Sequence, residues 1–183
     1  ADTAALDAIL QKRLTGLPIT EEELCTIVEE ATQDGGLDAS EGELIRSAIE
    51  FNDLDVEDVL TPRVDVVAVD EEDSREEILK TFRESGYSRL PVYRESIDNI
   101  IGVINFKDFY HHTDEPLEKL LKPAVYIAAS IKISQLLKRL QGTKNHMVIV
   151  ADDYGGTLGI VTLEDIIEEL VGEIWDEHDE VVN

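Results

Sequence analysis

The stretch Gly102-Val103-Ile104-Asn105-Phe106-Lys107-Asp108 returns 57 residues later as Gly159-Ile160-Val161-Thr162-Leu163-Glu164-Asp165. Upstream, Ile78-Leu79 is matched by Leu136-Leu137, and Leu90-Pro91-Val92-Tyr93 by Val148-Ile149-Val150-Ala151, at an offset of 58. The slip of one residue falls at the loops 95–99 and 152–156. Self-similarity at such a period means one supersecondary unit written twice. Each copy reads strand, helix, strand, strand, helix. In the first, apolar runs at 64–69, 87–93 and 100–104 give the strands, and Ile78, Leu79 and Phe82 give the helical face. In the second, the strands are 125–128, 146–151 and 158–161, with Ile133, Leu136, Leu137 and Leu140 on the helix. One copy is too small to cover both faces of its own three-stranded sheet, so the two are expected to pack together.

The most informative part of the repeat is the corner where its last strand meets its last helix. In the second copy the strand ends at Thr162, and Ile166, Ile167, Leu170 and Val171 follow at helical spacing. Thr162 stands at the helix N-cap and Asp165 at N3, the arrangement of a capping box. One reading is that the pair only satisfies the first backbone N–H groups. The other is that the corner presents a helix N-terminus to an anion, with the hydroxyl meeting a phosphate and the carboxylate accepting from sugar hydroxyls. The first copy has Asn105 and Asp108 at the same places, so the corner is written twice but not identically.

Residues 1–60 are expected to be helical, with capping boxes at Thr20 to Glu23 and at Ser40 to Glu43, a stop at Gly35-Gly36, and Asp55 ahead of a short turn. Asn52 to Asp55 suggests a calcium loop but lacks the required glycine and closing glutamate. The chain carries 41 acidic and 16 basic residues, a net charge of −25. That field disfavours nucleic acid and anionic membrane surfaces as partners. Cys25 is the only cysteine, which excludes an intrachain disulfide and a cysteine zinc site. No apolar run reaches the length of a membrane span and no signal peptide opens the chain, so a cytoplasmic piece of a longer protein is expected.

Other candidates carry less. His111-His112 lacks a partner at metal-ligand spacing, and His146 occupies the place of Ser88 in the first copy. Residues 152–156 read as a hairpin turn. The acidic run from Trp175 to Glu180 reads as a solvated linker or a weak divalent-cation site. Phosphate-binding loops, dinucleotide fingerprints, nucleophile elbows and zinc-protease motifs are absent, and no nucleophile–base pair is found, so no enzyme is expected. Glu164 is the one carboxylate near the corner without an assigned role.

Over about residues 60–173 the repeats resemble a pair of CBS domains. The stretches Val59 to Arg63, Gly86 to Val92, Asp152 to Gly156 and Thr162 to Ile174 together resemble the CorC family of magnesium and cobalt efflux proteins. These in turn are similar to the cytosolic part of the cyclin M magnesium transporters. The resemblance implies an α+β fold: a helical segment (1–60), two CBS repeats (61–115 and 116–173) forming a Bateman module, and an acidic linker (174–183). It implies an adenine nucleotide in the cleft between the repeats, ATP or else ADP or AMP, with magnesium. Thr162 would then contact phosphate and Asp165 the ribose. Thr61, Tyr87, Ser88, Arg89 and Pro91 would frame the base and phosphates. A second, weaker pocket would be built on Asn105 and Asp108 and would face Met147 where the first has Arg89, so it would lack its main positive charge. Two chains would pair as a homodimer through the helix faces of Ile78, Phe82, Leu136 and Leu140. The module would regulate a membrane transport domain of the same longer protein from the cytoplasmic face of the membrane. The rival reading is a dimerising scaffold that has lost nucleotide binding.

Overall fold

A computed structural model describes residues 3–176. Two compact units divide the chain: the described residues up to Leu54 with Lys132–Ser134 and those from Ile166 onward, and the segments Asp55–Ile131 and Gln135–Asp165.

The first unit opens with three helices, α1 (Thr3–Leu14), α2 (Glu21–Gln33) and α3 (Ala39–Phe51). Thr20 caps α2, its hydroxyl accepting from the Glu23 N–H at 3.2 Å. The cap of α3 is Asp38, not Ser40 as the sequence suggested. Asp38 Oδ1 accepts from the Glu41 N–H at 2.8 Å and Glu41 Oε2 accepts from the Asp38 N–H at 3.0 Å, so Ser40 lies inside the helix. Gly42 lets α3 approach α2 closely, because a Cβ there would overlap the Thr32 hydroxyl.

The second unit holds the repeats and two four-stranded sheets. A short helix α4 (Val56–Val59) leads into β1 (Thr61–Pro62), a single 3-10 turn (Arg63–Asp65), β2 (Val69–Asp70), α5 (Arg75–Ser85), β3 (Arg89–Arg94), β4 (Ser96–Asn105) and α6 (Phe106–His111). The second copy runs through α7 (Leu117–Leu120), β5 (Lys122–Pro123), β6 (Tyr126–Ala128), α8 (Ile133–Gln141), β7 (Met147–Ala151), β8 (Thr157–Thr162) and α9 (Leu163–Asp176). Helix α9 extends three residues into the span expected as a linker. The acidic run ending at Glu180 lies mostly outside the described residues.

The strand orders are β2-β3-β4-β5 and β1-β8-β7-β6. Each copy thus contributes three strands to its own sheet, while the strand that opens the copy pairs with the other sheet. In β1, Thr61 and Pro62 lie opposite Ile160 and Gly159; in β5, Lys122 and Pro123 lie opposite Val103 and Gly102. The two repeat glycines make this exchange possible. A Cβ on Gly159 would overlap the Thr61 carbonyl oxygen and stand 2.7 Å from Leu60 Cδ1, and one on Gly102 would stand 2.8 Å from the Lys122 carbonyl oxygen. The expected strand 64–69 is reduced to Val69–Asp70. After crossing to the far sheet the chain must reverse, and Arg63–Asp65 turn it with Val64 88% exposed.

Two cores follow from the alternation along the strands. Val69, Ile78, Phe82, Leu90, Val92, Ile104, Phe109 and Leu120 fill the space between helices and first sheet. On the opposite faces Ile100 and Val103 of the first sheet pack with Met147, Ile149 and Ile160 of the second. The helix faces of Ile78, Phe82, Leu136 and Leu140 are all buried within the single chain, so they are not the free surface the sequence reading assigned to a second copy. Arg63 clasps the two hairpins: its guanidinium pairs with Asp98 on two nitrogens, and Asp98 Oδ1 also accepts from the Thr157 N–H at 3.0 Å. These donors hold the Asp98 carboxyl below the usual aspartate range, the Arg63 bond first and the Thr157 N–H second.

Candidate functional site

Thr162 ends β8 and starts α9. Its hydroxyl oxygen accepts from the Asp165 N–H at 3.1 Å, and Asp165 Oδ2 accepts from the Thr162 N–H at 2.9 Å. The capping box is therefore real. It consumes one acceptor of each side chain and leaves the Thr162 O–H proton and the Asp165 Oδ1 for a ligand. Both residues are only partly buried. Capping and ligand binding are thus compatible at this corner.

Both copies share the backbone of the corner, although Asn105 makes no side-chain cap on α6. The Leu163 N–H donates to the His146 carbonyl at 2.9 Å, and its counterpart Phe106 N–H donates to the Ser88 carbonyl at 2.8 Å. This bond ties the first residue of each closing helix to the residue just before the central strand of the same sheet. In register, Met147 lies opposite Thr162 and Arg89 opposite Asn105.

A cavity of about 260 Å³ opens at the Thr162 corner. Thr61, Tyr87, Ser88, Arg89, Pro91, Thr162 and Asp165, drawn from three separate stretches of sequence, all line it. Thr61 arrives on the crossing strand β1, the residues 87–91 arrive on the entry to β3, and the last two stand at the start of α9. Tyr87 is 56% exposed and offers a ring face, while Pro91 is buried in the wall. Arg89 Nη1 donates to Glu164 Oε1 at 3.1 Å. Asp65, Val66 and Val67 also line the cavity; the sequence missed them because it read that run as strand. The volume lies just below the ~300 Å³ at which small-molecule pockets begin.

The second corner differs from its expectation in two ways. Asn105 lines a crevice of about 10 Å³ with Lys122, Pro123, Met147 and the 144–146 segment, room for about one water. Asp108 does not line it: its Oδ2 accepts from Asn105 Nδ2 at 3.4 Å, pairs with Lys122 Nζ at 3.2 Å, and Asp108 lines a separate recess of about 390 Å³ beside His112, Glu115 and Lys119. Nor does this corner lack cations, since Lys122, Lys144 and Arg89 all reach the crevice. Lys122 comes from the exchanged strand and Lys144 from the loop before β7, positions that the 57-residue alignment of the corners does not compare.

Among the described residues no cluster of three His, Cys, Asp or Glu side chains is suited to hold a metal ion. The charged groups that line the cavity are three carboxylates, Asp65, Glu164 and Asp165, and the Arg89 guanidinium. No helix among the described residues is long and apolar enough to cross a membrane.

Comparison with known proteins places these features. The family model of the CBS domain matches residues 56–115 and 118–172. The UPF0053 protein YugS of Bacillus subtilis (strain 168) is 38% identical over 166 residues, a match that covers 88% of this chain but only 39% of that protein. The solved CBS domain of the bacterial CNNM/CorC family Mg2+ transporter is 40% identical with a TM-score of 0.76, over 85% of this chain and 98% of that one. A structure of such a domain in complex with ATP is 43% identical with a TM-score of 0.65, over 71% of this chain and 96% of that one. With its two repeats, exchanged edge strands and these matches, the chain belongs to the CBS-domain family, as a tandem CBS module of the CNNM/CorC group.

Proposed function

We propose that the module binds one adenine nucleotide, ATP carrying magnesium in preference to free ATP, in the cavity at the Thr162 corner. What carries this reading is the convergence of Thr61, Tyr87, Ser88, Arg89, Pro91, Thr162 and Asp165 on one cavity. In it the Tyr87 ring stacks on the base, Arg89 and the Thr162 hydroxyl meet the phosphates, and Asp165 Oδ1 accepts from a ribose hydroxyl. The chain matches only 39% of YugS, and the rest of such a longer protein would carry the partner. Nucleotide state is proposed to act on a magnesium or cobalt transport domain there, with this module at the cytoplasmic face. Calorimetric titration with ATP, ADP and AMP, each with magnesium and with chelator, tests the reading. The expected result is saturable binding, tightest for ATP with magnesium; no heat with any nucleotide overturns it.

One observation favours a second reading, a dimerising scaffold without nucleotide. The corner groups already satisfy one another, Thr162 with Asp165 and Arg89 with Glu164. A patch suited to self-association remains exposed where the Phe106 and Tyr110 rings stand 5.7 Å apart, 41% and 60% exposed. On this reading light scattering shows a dimer while the titrations stay silent.

A further inference from the structure

We propose that Arg63 is a positioning residue for the nucleotide: without touching the ligand, its clasp on Asp98 holds the cavity wall Asp65–Val67 in the place the ligand needs. The inference rests on nucleotide binding at the large cavity and names a residue outside that cavity on which the binding depends.

Strand β1 ends at Pro62 and β2 begins only at Val69, so no sheet holds the backbone of residues 63–68. Within that gap Asp65, Val66 and Val67 nevertheless line the cavity, as Thr61 does just before it. Val66 packs against the core between the two sheets and Val67 against the core between helices and first sheet, which anchors the far end of the run. Its near end is the turn Arg63–Asp65, closed by the Val66 N–H donating to the Arg63 carbonyl at 3.3 Å, with Val64 out in solvent.

What fixes that turn is the Arg63 side chain. Its guanidinium meets both oxygens of Asp98, Nη2 donating to Oδ2 at 3.0 Å, and Asp98 Oδ1 also accepts from the Thr157 N–H at 3.0 Å. Asp98 stands near the start of β4 and Thr157 opens β8. These strands belong to different sheets and end at the two corners, at Asn105 and Thr162. One guanidinium therefore ties the turn to both sheets at the ends opposite the corners. Arg63, Asp98 and Thr157 all lie outside the cavity lining. A partly exposed ion pair adds little to global stability, so its consequence is read in affinity: a wall already set costs the ligand less ordering on binding.

The test measures dissociation constants for ATP with magnesium and for AMP in the parent, Arg63→Met, Arg63→Lys and Asp98→Asn, each well below its melting temperature. Met removes the clasp and should weaken both ligands about three- to tenfold. Lys keeps the charge but loses the bidentate fit, and should fall between Met and the parent. Asp98→Asn is the decisive variant. It removes a negative charge, which on electrostatics alone would tighten an anionic ligand, whereas a loosened wall weakens it about two- to fivefold. Hydrogen exchange of the free protein should show the amides of 64–68 less protected in the Met variant, with β7 unchanged. Parent-like affinities or unchanged exchange in a folded Met variant, or tighter binding in Asp98→Asn, overturn the role of Arg63 and leave nucleotide binding intact. Absence of binding in the parent overturns both.

Discussion

The two strand-to-helix corners share a backbone and differ in what they can hold. Each ends an inner strand at a polar residue, ties its next N–H to a carbonyl before the central strand of its sheet, and accepts an exchanged strand across a glycine. At one, Thr61, Arg89 and Thr162 surround about 260 Å³ of open space. At the other, Lys122, Met147 and Asn105 stand in the equivalent places around a crevice of about 10 Å³, and a recess of about 390 Å³ lies apart from it on the Asp108 side of Lys122. The long Lys122 side chain crosses where the short Thr61 leaves room, and it ties Asp108 to itself. Duplication therefore copies the scaffold, while the site depends on the side chains set upon it.

The largest effect should come from breaking the exchange that both corners share. Gly159→Ala places a Cβ against the Thr61 carbonyl and Leu60, backbone and packed side chain that cannot both retreat. A loss of about 3 kcal/mol or more is expected from such overpacking, against about 1–3 kcal/mol for Gly102→Ala, where the nearest atom is farther off. Urea unfolding of the two variants measures the difference. Equal losses would mean that the exchanged strands are equally loose.

Arg89→Met makes the large cavity chemically like the small one. It removes charge-assisted bonds to phosphate worth about 1.5–3 kcal/mol, a loss of about ten- to hundredfold in nucleotide affinity. Stability should change little, because Glu164, the carboxylate of the lost pair, is 62% exposed and such pairs contribute little. Titration and melting of the same sample separate these outcomes, and a stability loss without an affinity loss would make Arg89 a structural clasp only.

The smallest effect concerns the clasp at the far end of β1. Asp98 has its carboxyl pKa lowered by Arg63 and the Thr157 N–H, so its contribution to stability is full above the usual aspartate range near ~4. It is lost as pH falls through the lowered value. Asp98→Asn should therefore melt below the parent at neutral pH and converge with it in acid. Parallel curves at all pH values would rule out the ionised clasp.

Much of this was legible in the sequence, for identifiable reasons. The repeat showed its register because apolar strands and a glycine–aspartate corner recur, and Thr20 and Thr162 cap helices as such residues do. The seven cavity residues were read from family resemblance, and their convergence needed the fold. What escaped was the strand exchange. A two-residue strand such as Thr61–Pro62 has no periodicity to detect, and its partner lies about a hundred residues away. The same blindness hid Lys122, which closes the second corner from an exchanged strand. It also turned Asp65, Val66 and Val67 from cavity wall into imagined strand.

The central claim is that one corner binds nucleotide and its copy does not. Titrating ATP with magnesium into the parent, Asp165→Ala and Asp108→Ala tests it most directly. The account predicts one nucleotide per chain for the parent, affinity at least about tenfold weaker in Asp165→Ala, and no more than about a twofold change in Asp108→Ala. Two equal sites per chain, or an Asp108→Ala loss as large as that of Asp165→Ala, would contradict it.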